Sequence, residues 1–151
     1  MPDVYYEDLE IGDTASYGTY EVTEAEILDF ANAYDPQWFH TDPDAAADSI
    51  YGGLIASGWH TAAMTMRLLV DNYLSRAAVL GAAGLESLTW PNPTRPGDEL
   101  SVETEILEKR VSESDPRRGL VTSRAVTTNR DDAEKMRMVS VMLYARRDDG
   151  D

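Results

Sequence analysis

The chain contains the stretch Ser57-Gly-Trp-His-Thr-Ala-Ala-Met-Thr-Met-Arg-Leu-Leu-Val70, which predicts a helix that other structure must surround. Ser57 is a residue type that begins helices, and neither Gly nor Pro occurs between Gly58 and Gly81, so we expect the helix to run to about Leu80. Apolar side chains stand on nearly every face of its first half. A helix of this kind needs burial on most of its sides.

The segments that follow predict the strands that cover this helix. Leu100–Ile106 alternates apolar with polar residues, which is typical of a strand with one solvent-facing side. Leu85–Trp90 is stopped by Pro91, Leu120–Thr128 is rich in β-branched residues, and Met138–Ala145 is apolar enough for a central strand. One buried helix followed by long antiparallel strands predicts an α+β fold, in which a curved antiparallel β-sheet wraps around a long central α-helix.

The segment before the helix adds a strand and two shorter helices. Residues 12–22 are rich in β-formers, and Thr23 with Glu26 gives the capping-box pattern of a helix start. Pro36 disfavours helical geometry in the residue before it, so this first helix should end at Asp35. Pro43 predicts a short second helix over residues 42–48.

Asp35 and His40 form the candidate catalytic pair, because the end of the first helix places a carboxylate and an imidazole five residues apart. A carboxylate is disfavoured at the negative end of a helix dipole, so Asp35 either caps a local group or is held there for a purpose. The spacing alone leaves open an Asp-Pro turn followed by a surface histidine.

The residues around this pair resemble a known active-site segment. Phe30-Ala-Asn-Ala-Tyr-Asp-Pro-Gln-Trp-Phe-His40 is similar to that of the MaoC-like dehydratases, or R-specific enoyl-CoA hydratases, whose pattern runs Asp-x-Asn-Pro-x-His. Asp35 and His40 fall on its two catalytic positions. Gln37 and Trp38 stand where the family usually has Asn and Pro, which bears on loop shape and substrate fit more than on the acid/base pair.

Two further stretches carry the same resemblance. Gly53–His60 looks like the glycine-containing helix start of the family, and Arg95–Leu100 looks like its later strand entry. The resemblance implies a hot-dog fold over residues 1–151, and a length of 151 residues is enough for one domain with its own core.

The resemblance also implies a hydro-lyase that adds water reversibly to a trans-2-enoyl-CoA to give a (3R)-hydroxyacyl-CoA. Asp35 and His40 would hold one water together, and which of them is the formal base stays open. Gly58 would bind the thioester oxygen through a free amide at the helix start, unless it only makes a tight turn there. The further residues expected to contact the substrate are Gln37, Ser57, Trp59 and Arg95.

Several residues have a structural interpretation that we favour or leave open. His60, one turn into a buried helix, is expected to be packed rather than catalytic, and no metal or other cofactor is expected. Trp59, Met64 and Met66 are favoured as core residues, with one or two of them lining an acyl tunnel.

Coenzyme A phosphates need a basic patch, and its candidates are Arg67, Arg95, Arg117 and Arg118, with Arg95 preferred.

Composition limits the classes of function. The 28 acidic and 13 basic side chains give a formal net charge of −15, which argues against a nucleic acid partner. Cysteine is absent, which excludes thiolate chemistry, and a 42% hydrophobic content argues for a folded chain.

An acidic surface with only two lysines is typical of proteins that work in concentrated salt, so we expect a salt-loving source. The acidic N-terminus and the lack of a long apolar run predict a cytoplasmic protein without a membrane span.

Two rival functions share the expected fold. A hot-dog thioesterase would hydrolyse the acyl-CoA, and a non-catalytic acyl-CoA-binding protein would need neither Asp35 nor His40; the fold alone cannot choose among them. A single sheet around one helix also leaves edge strands exposed, so we expect a homodimer.

Overall fold

The computed structural model describes residues 2–147, and the predicted domain therefore extends a few residues beyond the described part. The strands are β1 (Thr14–Glu21), β2 (Val79–Thr89), β3 (Glu99–Val111), β4 (Arg118–Thr128) and β5 (Glu134–Ala145). The helices are α1 (Glu24–Tyr34), α2 (Trp38–Thr41), α3 (Pro43–Ala47) and α4 (Gly58–Leu69). A π-helical turn, Val70–Leu74, continues α4, and a 3-10 turn, Tyr6–Asp8, precedes β1.

The five strands form one antiparallel sheet in the order β1-β3-β4-β5-β2. The strands β3, β4 and β5 are interior, as their long apolar or alternating sequences require, and β1 and β2 are the edges. Helix α4 packs against β1, β3 and β5. One helix held by one long antiparallel sheet is the hot-dog arrangement, so the predicted α+β fold is confirmed.

The core lies between α4 and the sheet. Met64, Leu68 and Leu69 of the helix meet Leu100 and Val102 of β3, which are fully or almost fully buried. Two pairs of buried hydroxyls also join the helix to its surroundings: Thr61 donates to Thr94 at 2.9 Å, and the hydroxyls of Thr65 and Thr127 are 2.7 Å apart. Because each of these four hydroxyls has a partner, the threonines are accommodated in the core.

The central helix is shorter than predicted. Its α-helical part ends at Leu69, the π-helical turn ends at Leu74, and β2 begins at Val79, so the prediction of a helix to about Leu80 is wrong. Residues 75–80 are instead held by hydrogen bonds to other parts of the chain. The amide of Ala145 donates to the Ala78 carbonyl, and the amide of Ala78 donates to the Val4 carbonyl. Tertiary pairing therefore overrides the weak helix preference of residues 75–80.

Helix α4 is also not enclosed on every side in a single chain. Trp59, which is 59% exposed, shares an open stripe with Ala63, Met66 and Val70 at helical spacing. The sequence predicted burial on nearly all faces, whereas the sheet covers only one. Among residues 2–147, no helix has the length and apolar character required to cross a bilayer.

Candidate active site

The candidate acid/base pair lies where α1 gives way to α2. Thr23 begins α1, and its Oγ1 accepts the Glu26 amide at 3.2 Å, while the Glu26 carboxylate accepts the Tyr20 hydroxyl at 2.5 Å. Asp35 ends the helix, as Pro36 predicts, and its amide donates to the Ala31 carbonyl at 2.8 Å. His40 lies in α2, a single helical turn that the sequence did not predict.

The structure brings the two side chains together. His40 Nε2 lies 3.3 Å from Asp35 Oδ2, and His40 is only 5% exposed, so the surface-histidine alternative is wrong. The other ring nitrogen, Nδ1, is 2.7 Å from the Ile55 carbonyl oxygen. A carbonyl can only accept, so Nδ1 carries a proton, and the nitrogen free to gain or lose one is Nε2, beside the carboxylate.

Asp35 is held in its charged form. The side-chain amide of Gln37 donates to Asp35 Oδ1 at 2.6 Å, and this bond is the main cause that lowers the pKa of Asp35 below its usual value. The Ser57 hydroxyl and the nearby His40 also lower this pKa, although no hydrogen bond of regular geometry joins Ser57 to Asp35. Gln37 thus bonds to the candidate catalytic carboxylate, and its role as a substrate contact stays a prediction.

Helix α4 begins beside this pair with two free amides. The amides of His60 and Thr61 both donate to the Ser57 carbonyl, whereas those of Gly58 and Trp59 have no acceptor among residues 2–147. Free amides at a helix start bind developing negative charge. Ser57 occupies the cap position but makes no side-chain cap, and its buried hydroxyl has no hydrogen-bond partner in the described chain.

The Gly58 Cα is covered by an indole. A Cβ placed at position 58 would lie 2.4 Å from Cε2 of Trp90 and 2.6 Å from its Cδ2. From the sequence, Gly58 was expected only to leave the substrate unobstructed by a side chain. The structure gives the glycine a second reason, because only hydrogen fits beneath the Trp90 ring.

A cavity of about 260 Å³ adjoins the helix start. It is bordered by both His40 and Gly58, and Asp35 is not among its lining residues. Its other walls include Trp90, Thr94 and Lys135. His40 and the start of α4 therefore border one common space.

Sequence reasoning missed Trp90 and Lys135. Lys135 is buried, donates to the Pro93 carbonyl at 2.9 Å and lies 3.4 Å from Asp98 Oδ2. The available signals were weak: Trp90 stands directly before a proline, and Lys135 is one of only two lysines in an acidic chain. A contact between β2 and the start of α4 cannot be read from local sequence.

Three of the arginines predicted as candidates for phosphate binding make contacts within the chain. Arg95 donates to the Tyr51 carbonyl at 2.6 Å and holds that loop, while Arg67 and Arg117 pair with Asp71 and Asp115. Arg95 as a phosphate ligand stays a prediction.

The apolar side chains of α4 divide between the surface, the core and a second cavity. Trp59 meets Trp90 edge to face at 5.3 Å but is not among the residues bordering the 260 Å³ cavity, and its predicted place in the core is wrong. Met64 is a core residue as expected, and Met66 lines a separate apolar cavity of about 340 Å³.

His60 is a packed residue, as the sequence favoured. It is buried and stacks on Phe30, with ring centroids 4.7 Å apart and planes inclined by 6°. Burial lowers the pKa of His60 below its usual value. Within the described residues, no group of three or more His, Cys, Asp or Glu side chains could hold a metal ion.

Comparison with known proteins assigns the chain to a family. The MaoC-like domain family matches residues 9–130, and the chain belongs to it. The crystal structure of a MaoC-like dehydratase from Rhodospirillum rubrum is 46% identical, with a TM-score of 0.89 over 97% of this chain and 99% of that protein.

Two curated relatives match part of the chain. The protein YdeM of Bacillus subtilis is 28% identical over 69% of this chain and 74% of its own length. The 3-hydroxyacyl-thioester dehydratase Z of Mycobacterium tuberculosis is 32% identical over 57% of this chain and 58% of its own length.

Proposed function

We propose that this protein is a hydro-lyase that adds water reversibly to a trans-2-enoyl-CoA thioester to give a (3R)-hydroxyacyl-CoA. The observation that carries the proposal is the pairing of His40 Nε2 with Asp35 Oδ2 at 3.3 Å, with Nδ1 fixed by the Ile55 carbonyl. Family membership and the thioester dehydratase among its relatives support the reaction class. The R configuration rests on the resemblance to the R-specific hydratases.

The dyad supplies the proton transfers. A water held between Asp35 and His40 gives a proton to the dyad as its oxygen bonds to C3 of the enoyl group, and the C2=C3 electron pair moves toward the thioester. The same proton then bonds to C2, so water is consumed with no net change in the enzyme. Since Nδ1 keeps its proton throughout, Nε2 and the Asp35 carboxylate are the two positions between which the proton is shared.

The start of α4 stabilises the charge that develops on the thioester oxygen. The free amides of Gly58 and Trp59 point from the positive end of a twelve-residue helix, beside the cavity that His40 also borders. Backbone donors of this kind are fixed before the reaction begins, and losing one such donor costs on the order of 100-fold in turnover. Addition and oxyanion binding thus use adjacent groups of one site.

In this proposal, a second copy of the chain covers an apolar surface that a single chain leaves exposed. The apolar stripe of α4 (Trp59, Ala63, Met66 and Val70) is exposed, and so are Leu80 and Leu85 on the edge strand β2. An exposed edge strand with apolar side chains is unfavourable unless it is paired. We therefore expect a homodimer that covers this face.

One assay separates this function from its rivals. The protein is incubated with trans-2-butenoyl-CoA while the absorbance of the conjugated double bond and the release of free thiol are both followed. Loss of the double bond without thiol supports the hydratase. Release of thiol would indicate a thioesterase, and neither change would indicate a binding protein.

A further inference from the structure

Trp90 is built into the wall of the proposed active site. It follows the last residue of β2, and its indole lies against the Gly58 Cα at the start of α4. It also borders the same cavity as His40. Although 40% of the residue is exposed, the ring atoms nearest Gly58 are in tight contact.

The segment that carries Trp90 is anchored from several sides. The Asn92 side chain donates to the Glu134 carbonyl at 2.9 Å, and Lys135 donates to the Pro93 carbonyl at 2.9 Å. The amide of Ala56, just before α4, donates to the Thr94 carbonyl at 2.8 Å. These bonds tie the segment both to β5 and to the helix start, so the indole has a fixed position relative to Gly58.

The position of the indole limits the substrate atoms that can lie beneath it. In the proposed reaction the thioester oxygen lies at the Gly58 amide, and C2 and C3 must face His40, where the water is added. C2 is attached directly to the thioester carbon, so it lies next to the oxygen and within the cavity that His40 and Trp90 share. A substituent on C2 would therefore meet the Trp90 ring.

We propose that Trp90 is a specificity-determining residue that restricts the enzyme to 2-enoyl thioesters without a branch at C2. This inference rests on the proposed hydratase function. A single methyl group in a shaped pocket changes specificity by about 10- to 200-fold. Replacing Trp90 with a smaller side chain should therefore admit substrates that carry a methyl group at C2.

The test compares two substrates on matched variants. The ratio of kcat/KM for 2-methyl-trans-2-butenoyl-CoA to that for trans-2-butenoyl-CoA is measured for the unmodified protein, Trp90→Leu and Tyr5→Leu. Tyr5 is a control because its ring lies under Arg147 and the residue does not border the cavity. We expect the ratio to rise about tenfold or more in Trp90→Leu and to stay unchanged in Tyr5→Leu.

The other outcomes are distinct. If Trp90→Leu hydrates the unbranched substrate with an unchanged ratio, or loses both substrates equally, the specificity role is wrong while the hydratase function stands. If the unmodified protein hydrates neither substrate, the proposed function fails and this inference with it. If Trp90→Leu does not fold, Trp90→Phe keeps a ring over Gly58 and should raise the ratio in the same direction by less.

Discussion

Replacing Gly58 with alanine should destabilise the protein through Trp90. The new Cβ would lie 2.4 Å from Cε2 of Trp90, well inside the 3.4–4 Å of ordinary contact, so the indole must move. A displacement of roughly 1 Å in a packed site costs about 1–3 kcal/mol. Alanine favours a helix over glycine by up to about 1 kcal/mol, so the net loss should be about 1–2 kcal/mol.

The assay is urea unfolding of a double-mutant cycle, with Gly53→Ala as the matched control. A Cβ at Gly53 would meet only the Arg95 Nη1 at 3.6 Å, an ordinary contact, so this control should be nearly neutral. Trp90→Leu removes the clash, and the combination with Gly58→Ala should regain about 1 kcal/mol or more relative to the sum of the single changes. Additive losses would refute the claim that Gly58 is needed because Trp90 packs on it.

Three further predictions concern pH, salt and assembly. Burial lowers the pKa of His60 in the folded state, so the unfolded chain takes up that proton first and stability falls as the pH drops below about 6.5. His60→Phe keeps a ring against Phe30 and should lose less stability than the unmodified protein between about pH 7 and pH 5; equal losses would contradict this. With a net charge of −15, the melting temperature should rise between about 0.15 M and about 1 M potassium chloride, as the screening length shrinks from about 8 Å to about 3 Å, and should keep rising into multimolar salt. A flat profile would remove the argument for a salt-loving source. Sedimentation at micromolar concentration in high salt should show a dimer, and a monomer would contradict the proposed pairing.

Residue periodicity predicted most of the fold, because the pattern that indicates a strand lies within the residues of that strand. Alternation in Leu100–Ile106 and the prolines after Trp90 located their strands, and Thr23 and Pro36 located the ends of α1. The end of the central helix was misplaced because residues 75–80 contain no helix breaker, whereas long-range pairing with β5 begins β2 at Val79.

The site was predictable only as far as local spacing reaches. Asp35 and His40 stand five positions apart across one helix stop, and the resemblance of this segment to the MaoC-like pattern singled them out. The contact of Trp90 with Gly58 joins residues 32 positions apart, and the bond from Lys135 to Pro93 joins residues 42 apart. Such contacts depend on the curvature of the sheet around α4, which no local pattern encodes.

The central claim is that Asp35 and His40 act together on one water. Its most direct measurement is the turnover of trans-2-butenoyl-CoA by Asp35→Asn, His40→Ala and the double variant, with circular dichroism confirming that each is folded. We predict that each single change lowers turnover by about 100-fold or more and that the double variant is little worse than either, because the two groups form one unit. Near-native turnover in either single variant, or losses that multiply in the double variant, would contradict the account.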